Sequence, residues 1–137
     1  MANRHSQRSE RWEREDRAPR LAQEVPGLAS LRLELVESFN GRKISDSAQI
    51  RHIVVASAAA LFEYPCSDPR CDGGGHDVSR DVLGGVRAFK QNFVGSDRCS
   101  GYVGDRPCGR VLQFTAHAEF DQNAHAEALA KGTHRVR

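Results

Sequence analysis

The residues of this chain with the clearest capacity for chemistry are its four cysteines, which fall into two pairs. Cys66 and Cys71 are separated by four residues, and Cys99 and Cys108 are separated by eight. The first spacing lies within the roughly two to four residues that let a tight turn present two thiolates to one ion. Turn-forming residues accompany both pairs, so the sequence predicts two ligand-bearing turns that together hold one tetrahedral, structural Zn²⁺.

His76 is the reserve ligand of this predicted site. It lies five residues after Cys71 on the glycine-rich stretch GGGHD, from which it can replace one cysteine. The alternative interpretation places its side chain at a helix N-terminus, either capping or solvated. For the cysteines, reduced thiols without metal and disulfides formed on oxidation remain alternatives. An even number of cysteines indicates disulfides in a secreted domain, whereas in a reducing compartment it favours a metal site.

A catalytic zinc is a further interpretation of the same residues. Such a site keeps three protein ligands, an open position for water and a nearby carboxylate or histidine. Two ligands would be Cys66 and Cys71, the third would come from the second pair, and the neighbouring groups would be Asp72, His76 or Asp77. The H-x-E and P-C-x-x-C signature of zinc deaminases is absent from the sequence, as are HExxH, G-x-S-x-G and the P-loop.

With a ligand-bearing turn from Cys66 to Cys71 and a ligand-bearing hairpin from Cys99 to Cys108, the chain resembles zinc-ribbon and treble-clef-like domains in a general way. The resemblance covers roughly residues 60–115 and rests on the four cysteines. Unlike many ribbons, the chain places a predicted helix between its ligand pairs, and both loops are longer than the usual knuckle. The resemblance implies a structural metal, with the function located elsewhere on the surface.

The elements that must position these cysteines are predicted to be strands. Leu31, Leu33 and Leu35 alternate with charged residues, which is the period of a half-buried strand. Residues 50–65 are predicted to form a second strand that leads into the first cysteine turn. In the last strand, RVLQFTAHAEF, apolar and polar residues alternate, so we expect one packed face and one wet face.

One helix is predicted between the cysteine pairs, with Asp77 as its N-cap. Its apolar stripe consists of Val78, Val82, Val86, Phe89 and Phe93. Gly84 and Gly85 fall in its middle, where they permit a close approach to the sheet. The predicted fold class is α+β: a small antiparallel sheet of about four strands packed with one amphipathic helix, in the order β-β-α-β-β, with a zinc-ribbon-like metal clamp.

Apolar residues are scarce at both ends of the chain, which divides it into three predicted parts. Residues 1–24 are predicted to be a disordered polyampholyte arm, in which arginines and acids nearly balance. Residues 25–120 form the zinc-stabilised domain, and residues 121–137 form a tail that contains a short helix or frays. Because the sequence contains neither a secretory signal nor an apolar stretch of about 18 residues, we expect a cytoplasmic protein without a membrane partner.

The net charge of +2 falls short of the strongly basic surface of a dedicated nucleic-acid-binding protein. Arg98, Arg106 and Arg110 nevertheless flank the second cysteine pair and are candidate phosphate contacts, unless they pair with nearby acids as an ordinary solvated surface. We therefore predict a non-enzymatic, zinc-stabilised binding module that acts with nucleic acid or a nucleoprotein assembly. The alternatives are a protein-binding adaptor or assembly factor that uses the N-terminal arm and, third, a zinc-dependent hydrolase or deaminase.

Overall fold

A computed structural model describes the protein over residues 4–121, with side chains from residue 10 onward. The helices are α1 (Arg4–Arg17), α2 (Leu21–Glu24) and α3 (Ser79–Arg87), and a single 3-10 turn spans Ser45–Ser47. The strands are β1 (Leu28–Phe39), β2 (Arg42–Lys43), β3 (Gln49–Ile53), β4 (Glu63–Tyr64), β5 (His76–Asp77), β6 (Asn92–Arg98), β7 (Tyr102–Val103), β8 (Arg106–Pro107) and β9 (Val111–Phe120). Within this range, no helix has the length and apolar character that crossing a membrane requires. The predicted C-terminal tail lies outside the described residues except for Asp121.

The main sheet is antiparallel and is organised around β1. On one side β1 pairs with β9, in a register that places Leu33 opposite Ala116, and β6 follows beside β9. On its other side β1 pairs with β3 and, at its last residues, with β2. The predicted mixed class and antiparallel sheet are therefore confirmed. The predicted strand count and the order β-β-α-β-β differ from the observed arrangement, which has five strands in this sheet and two separate two-stranded ladders, β4–β5 and β7–β8.

One face of the main sheet is apolar because apolar residues alternate with polar ones along its two central strands. Seven apolar residues of β1 and β9 are at most 3% exposed, and they are Leu31, Leu33, Leu35, Leu112, Phe114, Ala116 and Ala118. The opposite face carries polar side chains, among them Arg32, Glu34 and His117. The predicted alternation in both strands is confirmed.

Helix α3 packs against the apolar face through Val82 and Val86, which are both fully buried. Gly85 allows this approach, because a Cβ at that position would lie no more than 2.5 Å from three carbon atoms of the Phe93 ring. The helix is shorter than the predicted apolar stripe: it ends at Arg87, and Phe93 belongs to β6. The Asp77 side chain accepts a hydrogen bond from the Ser79 N–H at 3.0 Å, although Val78 occupies the cap position.

The predicted continuous strand over residues 50–65 is wrong between the end of β3 at Ile53 and the start of β4 at Glu63. The next residues form a turn, in which the Ala58 N–H donates to the Val54 carbonyl at 2.9 Å. The Ala58 carbonyl then accepts a hydrogen bond from the Leu21 N–H, also at 2.9 Å. The chain leaves the sheet here because this segment forms hydrogen bonds with the N-terminal region instead of extending β3.

The N-terminal region is helical where the sequence predicts a disordered arm. Leu21 is fully buried in the core, and Trp12 is 55% exposed. Arg14 holds α1 against the body of the protein, since its Nε lies 2.9 Å from both carboxylate oxygens of Glu63. The contacts of residues 10–24 thus differ from those of a solvated arm. The predicted division of the chain into residues 1–24, 25–120 and 121–137 stays a prediction.

Candidate metal centre

The four cysteines lie in two loops that the backbone holds side by side. Cys66 follows β4 and Cys71 lies in the next turn, whereas Cys99 follows β6 and Cys108 follows β8. Asp72 joins the loops through paired backbone hydrogen bonds with Tyr102, at 2.8 and 3.0 Å. The second loop is closed by the Cys108 N–H, which donates to the Gly101 carbonyl at 2.9 Å. The short β4–β5 and β7–β8 ladders therefore serve to bring both cysteine pairs to one place.

The four sulfur atoms form one compact cluster, with all Sγ atoms within 4.8 Å of one another. The Sγ atoms of Cys66 and Cys108 lie 3.7 Å apart, and those of Cys71 and Cys99 lie 3.6 Å apart. Four thiolates at about 2.3 Å from a tetrahedral zinc lie about 3.8 Å from one another, so the separations fit that ion. All four cysteines are free thiols, which agrees with ligands better than with disulfides.

Two glycines make room for these sulfurs. A Cβ at Gly74 would lie 2.7 Å from the Cys99 Sγ and still closer to the Cys71 Sγ. A Cβ at Gly101 would lie 2.5 Å from the Cys71 Sγ and from the Gly74 Cα. The stretch GGGHD is therefore part of the wall of the sulfur cluster. The sequence analysis misses this role of Gly74 because the fold sets how close the Cys71 and Cys99 sulfurs lie to it.

Burial makes a metal-free cluster of thiolates costly. Burial raises the pKa of the Cys66 thiol and raises that of Cys71 to about 12. Burial also acts to raise the pKa of Cys99, but the Gly101 N–H donates to its Sγ at 3.4 Å, and such hydrogen bonds hold this pKa below its usual value. A divalent cation at the centre of the cluster would supply the positive charge that all four sulfurs need in order to ionise together.

His76 belongs to a neighbouring group and not to the four-sulfur set. Its ring nitrogen, a Glu37 carboxylate oxygen and the Cys66 Sγ lie within 4.8 Å of one another, so Cys66 is common to both groups. His76 and Glu37 are 2% and 4% exposed. The sequence analysis misses Glu37, because its position in β1 reads as an ordinary polar site in an alternating strand.

The predicted phosphate contacts differ in their surroundings. Arg98 and Arg106 are exposed at the ends of β6 and β8. The side chain of Arg110 is only 19% exposed, and its guanidinium nitrogens lie 3.7 Å from a Glu37 oxygen and 3.8 Å from an Asp68 oxygen. Arg110 therefore balances buried carboxylates beside the candidate metal centre. That Arg98, Arg106 and Arg110 contact nucleic acid stays a prediction.

A cleft of about 1000 Å³ opens beside the metal centre. Trp12 and Arg14 of α1 line it on one side, and Cys66, Gly74 and His76 line it on the other. Helix α1 thus stands next to the centre, a placement that the sequence analysis does not predict. No protein-family model, curated protein or solved structure matches the chain.

Proposed function

We propose that this protein is a non-enzymatic binding module whose fold is stabilised by a structural zinc ion on Cys66, Cys71, Cys99 and Cys108. The single observation that carries the proposal is the cluster of four sulfur atoms within 4.8 Å of one another. Thiolate sulfur selects soft or borderline metals, and a tetrahedral set of four suits zinc or iron. Four protein ligands fill a tetrahedral shell, which is typical of structural sites and not of catalytic ones.

The location of the cluster supports a stabilising role. Cys66, Cys99 and Cys108 form a small buried group of their own, packed with Cys71 and Val103 and separate from the main apolar core. The ladders next to Cys66 and Cys108 contain only two residues per strand, although Cys99 follows the longer β6. Such short elements contribute little stability alone, so we expect metal binding to supply the free energy that orders both loops.

Metal analysis of the full chain tests this proposal. We expect zinc in the purified protein, at least one ion per chain, and we expect a chelator to increase amide hydrogen exchange across roughly residues 60–115. Cys71→Ser is expected to lower both the metal content and the thermal stability, whereas Ser100→Ala, at an exposed neighbouring position, serves as the matched control. A stable protein that contains no metal and does not respond to a chelator would contradict the proposal.

For the partner, we propose nucleic acid or a nucleoprotein assembly in the cytoplasm. Arg98 and Arg106 support this proposal, since both are exposed close to the metal centre and are free of the buried carboxylates that hold Arg110. Phosphate contacts make the logarithm of affinity fall with the logarithm of salt concentration, by about 0.9 per contacted phosphate on duplex DNA. The double substitution Arg98→Gln and Arg106→Gln should reduce that slope by about two, while Arg80→Gln on α3 should leave it unchanged. Absence of binding to DNA and RNA even at low salt refutes this partner.

A protein-binding adaptor is the second candidate, and one observation favours it. On the polar face of the sheet, Ile50 and Val94 are 58% and 75% exposed and line a groove of about 960 Å³. Exposed apolar side chains in a groove are typical of protein contacts. Val94→Asp is expected to abolish capture of such a partner without changing the salt dependence of nucleic-acid binding, whereas unchanged capture excludes this groove as the contact surface.

A further inference from the structure

The side chains of Glu37 and His76 face each other inside the protein but do not form a hydrogen bond with each other. Nε2 of His76 lies 3.8 Å from Oε2 of Glu37, which is beyond hydrogen-bond distance. Among the described residues, none donates or accepts a hydrogen bond at either of these two buried atoms. Buried polar atoms in native proteins almost always have a partner, so this pair requires one that is not a protein group.

The other atoms of the two side chains are held in place. Nδ1 of His76 lies 3.0 Å from the Asp97 carbonyl oxygen, which can only accept, so Nδ1 carries a proton and Nε2 is the ring atom left to bind a metal through its lone pair. Oε1 of Glu37 accepts a hydrogen bond from the Ser67 N–H at 3.1 Å. A histidine anchored through one nitrogen to a backbone carbonyl, with its other nitrogen free, is the usual arrangement of a metal ligand.

A third electron-pair donor completes the group. The Cys66 Sγ lies within 4.8 Å of a ring nitrogen of His76 and of a carboxylate oxygen of Glu37, and as a thiolate it is also an acceptor. One water molecule has two protons and leaves one of three converging acceptors unsatisfied. A divalent cation interacts favourably with all three donors, and nitrogen, oxygen and sulfur are the ligand types that zinc takes in proteins.

We propose that Glu37, Cys66 and His76 form a second divalent-metal site, which shares the Cys66 thiolate with the four-cysteine centre. The inference rests on the four-cysteine centre of the proposed function and adds a second ion to it. With three protein donors, the second ion keeps a fourth coordination position, and the residues that bind it also line the cleft beside α1. Water or an exogenous ligand in the cleft would occupy this position.

The charges around the site favour a second cation. Four thiolates outweigh one divalent ion by two charges, and the Glu37 carboxylate adds a third negative charge. The Arg110 guanidinium, 3.7 Å from Oε2 of Glu37, offsets one of them, and Asp68, which Arg110 also approaches, has its own counter-charge in Arg70 at 3.3 Å. A second divalent ion therefore brings this buried group to neutrality, which removes the cost of burying unbalanced charge.

Cobalt titration of the metal-free full-length chain tests the proposal, because Co²⁺ substitutes for zinc and reports on its ligands. The first equivalent should give the absorption of a four-thiolate site. A second equivalent should bind as well, to a total of about two ions per chain. Because the two ions would share one thiolate, the second should also reduce the electron paramagnetic resonance signal of the first through magnetic coupling.

Variants separate this site from binding elsewhere. Glu37→Gln, which keeps nearly the same volume, and His76→Ala should each lose the second equivalent and the coupling while retaining the first. His117→Ala is the matched control, since His117 is also paired with a glutamate, Glu34, at 2.7 Å but on the polar face of the sheet. This variant should bind both ions as the original chain does.

The outcomes are distinguishable from a failure of the proposed function. If the first equivalent does not produce a four-thiolate spectrum, the structural-zinc proposal fails. If that spectrum appears but binding stops at one equivalent, the second site is refuted and a water molecule between Glu37 and His76 is the better account. A second equivalent that shows no coupling, or that survives both Glu37→Gln and His76→Ala, also refutes it.

Discussion

Replacing Gly74 with alanine is expected to weaken metal binding while leaving the main sheet folded. The new Cβ would lie 2.7 Å from the Cys99 Sγ and closer still to the Cys71 Sγ. Carbon and sulfur atoms in van der Waals contact are separated by about 3.5 Å or more, so the sulfurs must move by about an ångström. Such a movement is large beside a zinc–sulfur bond of about 2.3 Å and distorts the tetrahedral arrangement.

The magnitude follows from the cost of inserting an atom into a packed site. Overpacking by one methyl group costs about 1–3 kcal/mol. If this cost is borne in the metal-bound state, because unligated thiols can turn away, zinc affinity falls by about 5- to 150-fold. The measurement is competition for zinc between the protein and a chromophoric chelator, with circular dichroism to verify that the sheet is retained.

Gly75→Ala is the matched control, since the two glycines are neighbours and neither has a positive φ angle. At position 75 the nearest atom to a new Cβ is the Tyr64 carbonyl oxygen at 3.4 Å, which is ordinary contact. We expect its zinc affinity to stay within about threefold of the original chain, less than 1 kcal/mol. Equal affinities for the original chain and Gly74→Ala, or equal losses in the two variants, would refute the packing argument.

Two further predictions concern the helix and the polar face of the sheet. Gly85→Ala should reduce the free energy of unfolding by about 1–3 kcal/mol, because its Cβ would overlap the Phe93 ring. Gly84→Ala, at an exposed position of the same helix, should increase this free energy by up to about 1 kcal/mol through helix propensity. Urea denaturation measures both changes, and equal effects of the two substitutions would contradict the close packing at Gly85. The hydrogen bond with His117 lowers the pKa of Glu34, so this contact favours the folded state above the carboxyl pKa of the unfolded chain and is lost as the pH falls through the folded pKa. His117→Ala should raise the pKa of Glu34 toward its ordinary value in an NMR titration, and an unchanged pKa would show that another group sets it.

The two central strands of the main sheet, β1 and β9, were predictable because burial on one face produces an alternation of apolar and polar residues. Leu31, Leu33 and Leu35 alternate with polar residues, and the same alternation in β9 places its apolar side chains on the same face. The prediction failed after Ile53, where apolar residues continue but the chain turns away to pack against Leu21. Local apolar content does not distinguish a continued strand from a turn that packs on a distant segment.

The four cysteines were predictable as one candidate site because their types and turn contexts are local properties. Their pairing was not: the closest sulfur contacts join residues 42 and 28 positions apart, Cys66 with Cys108 and Cys71 with Cys99. The need for a small residue at position 74 depends on the same contacts.

What the sequence by itself determined is therefore the apolar alternation of the long strands, the helical stripe that α3 buries in part, and a set of four soft ligands in two turns. The tertiary structure alone decided that Glu37 of β1 lies beside His76, with both side chains buried and with no hydrogen bond from any described residue to the atoms that face each other. It also decided that Arg110 lies beside the carboxylates of Glu37 and Asp68 and that α1 lines one side of the cleft. The physical reason is that the residue type fixes the charge and the hydrogen-bonding capacity of a side chain. Its partners, however, depend on which distant segments the folded sheet brings within a few ångströms of it.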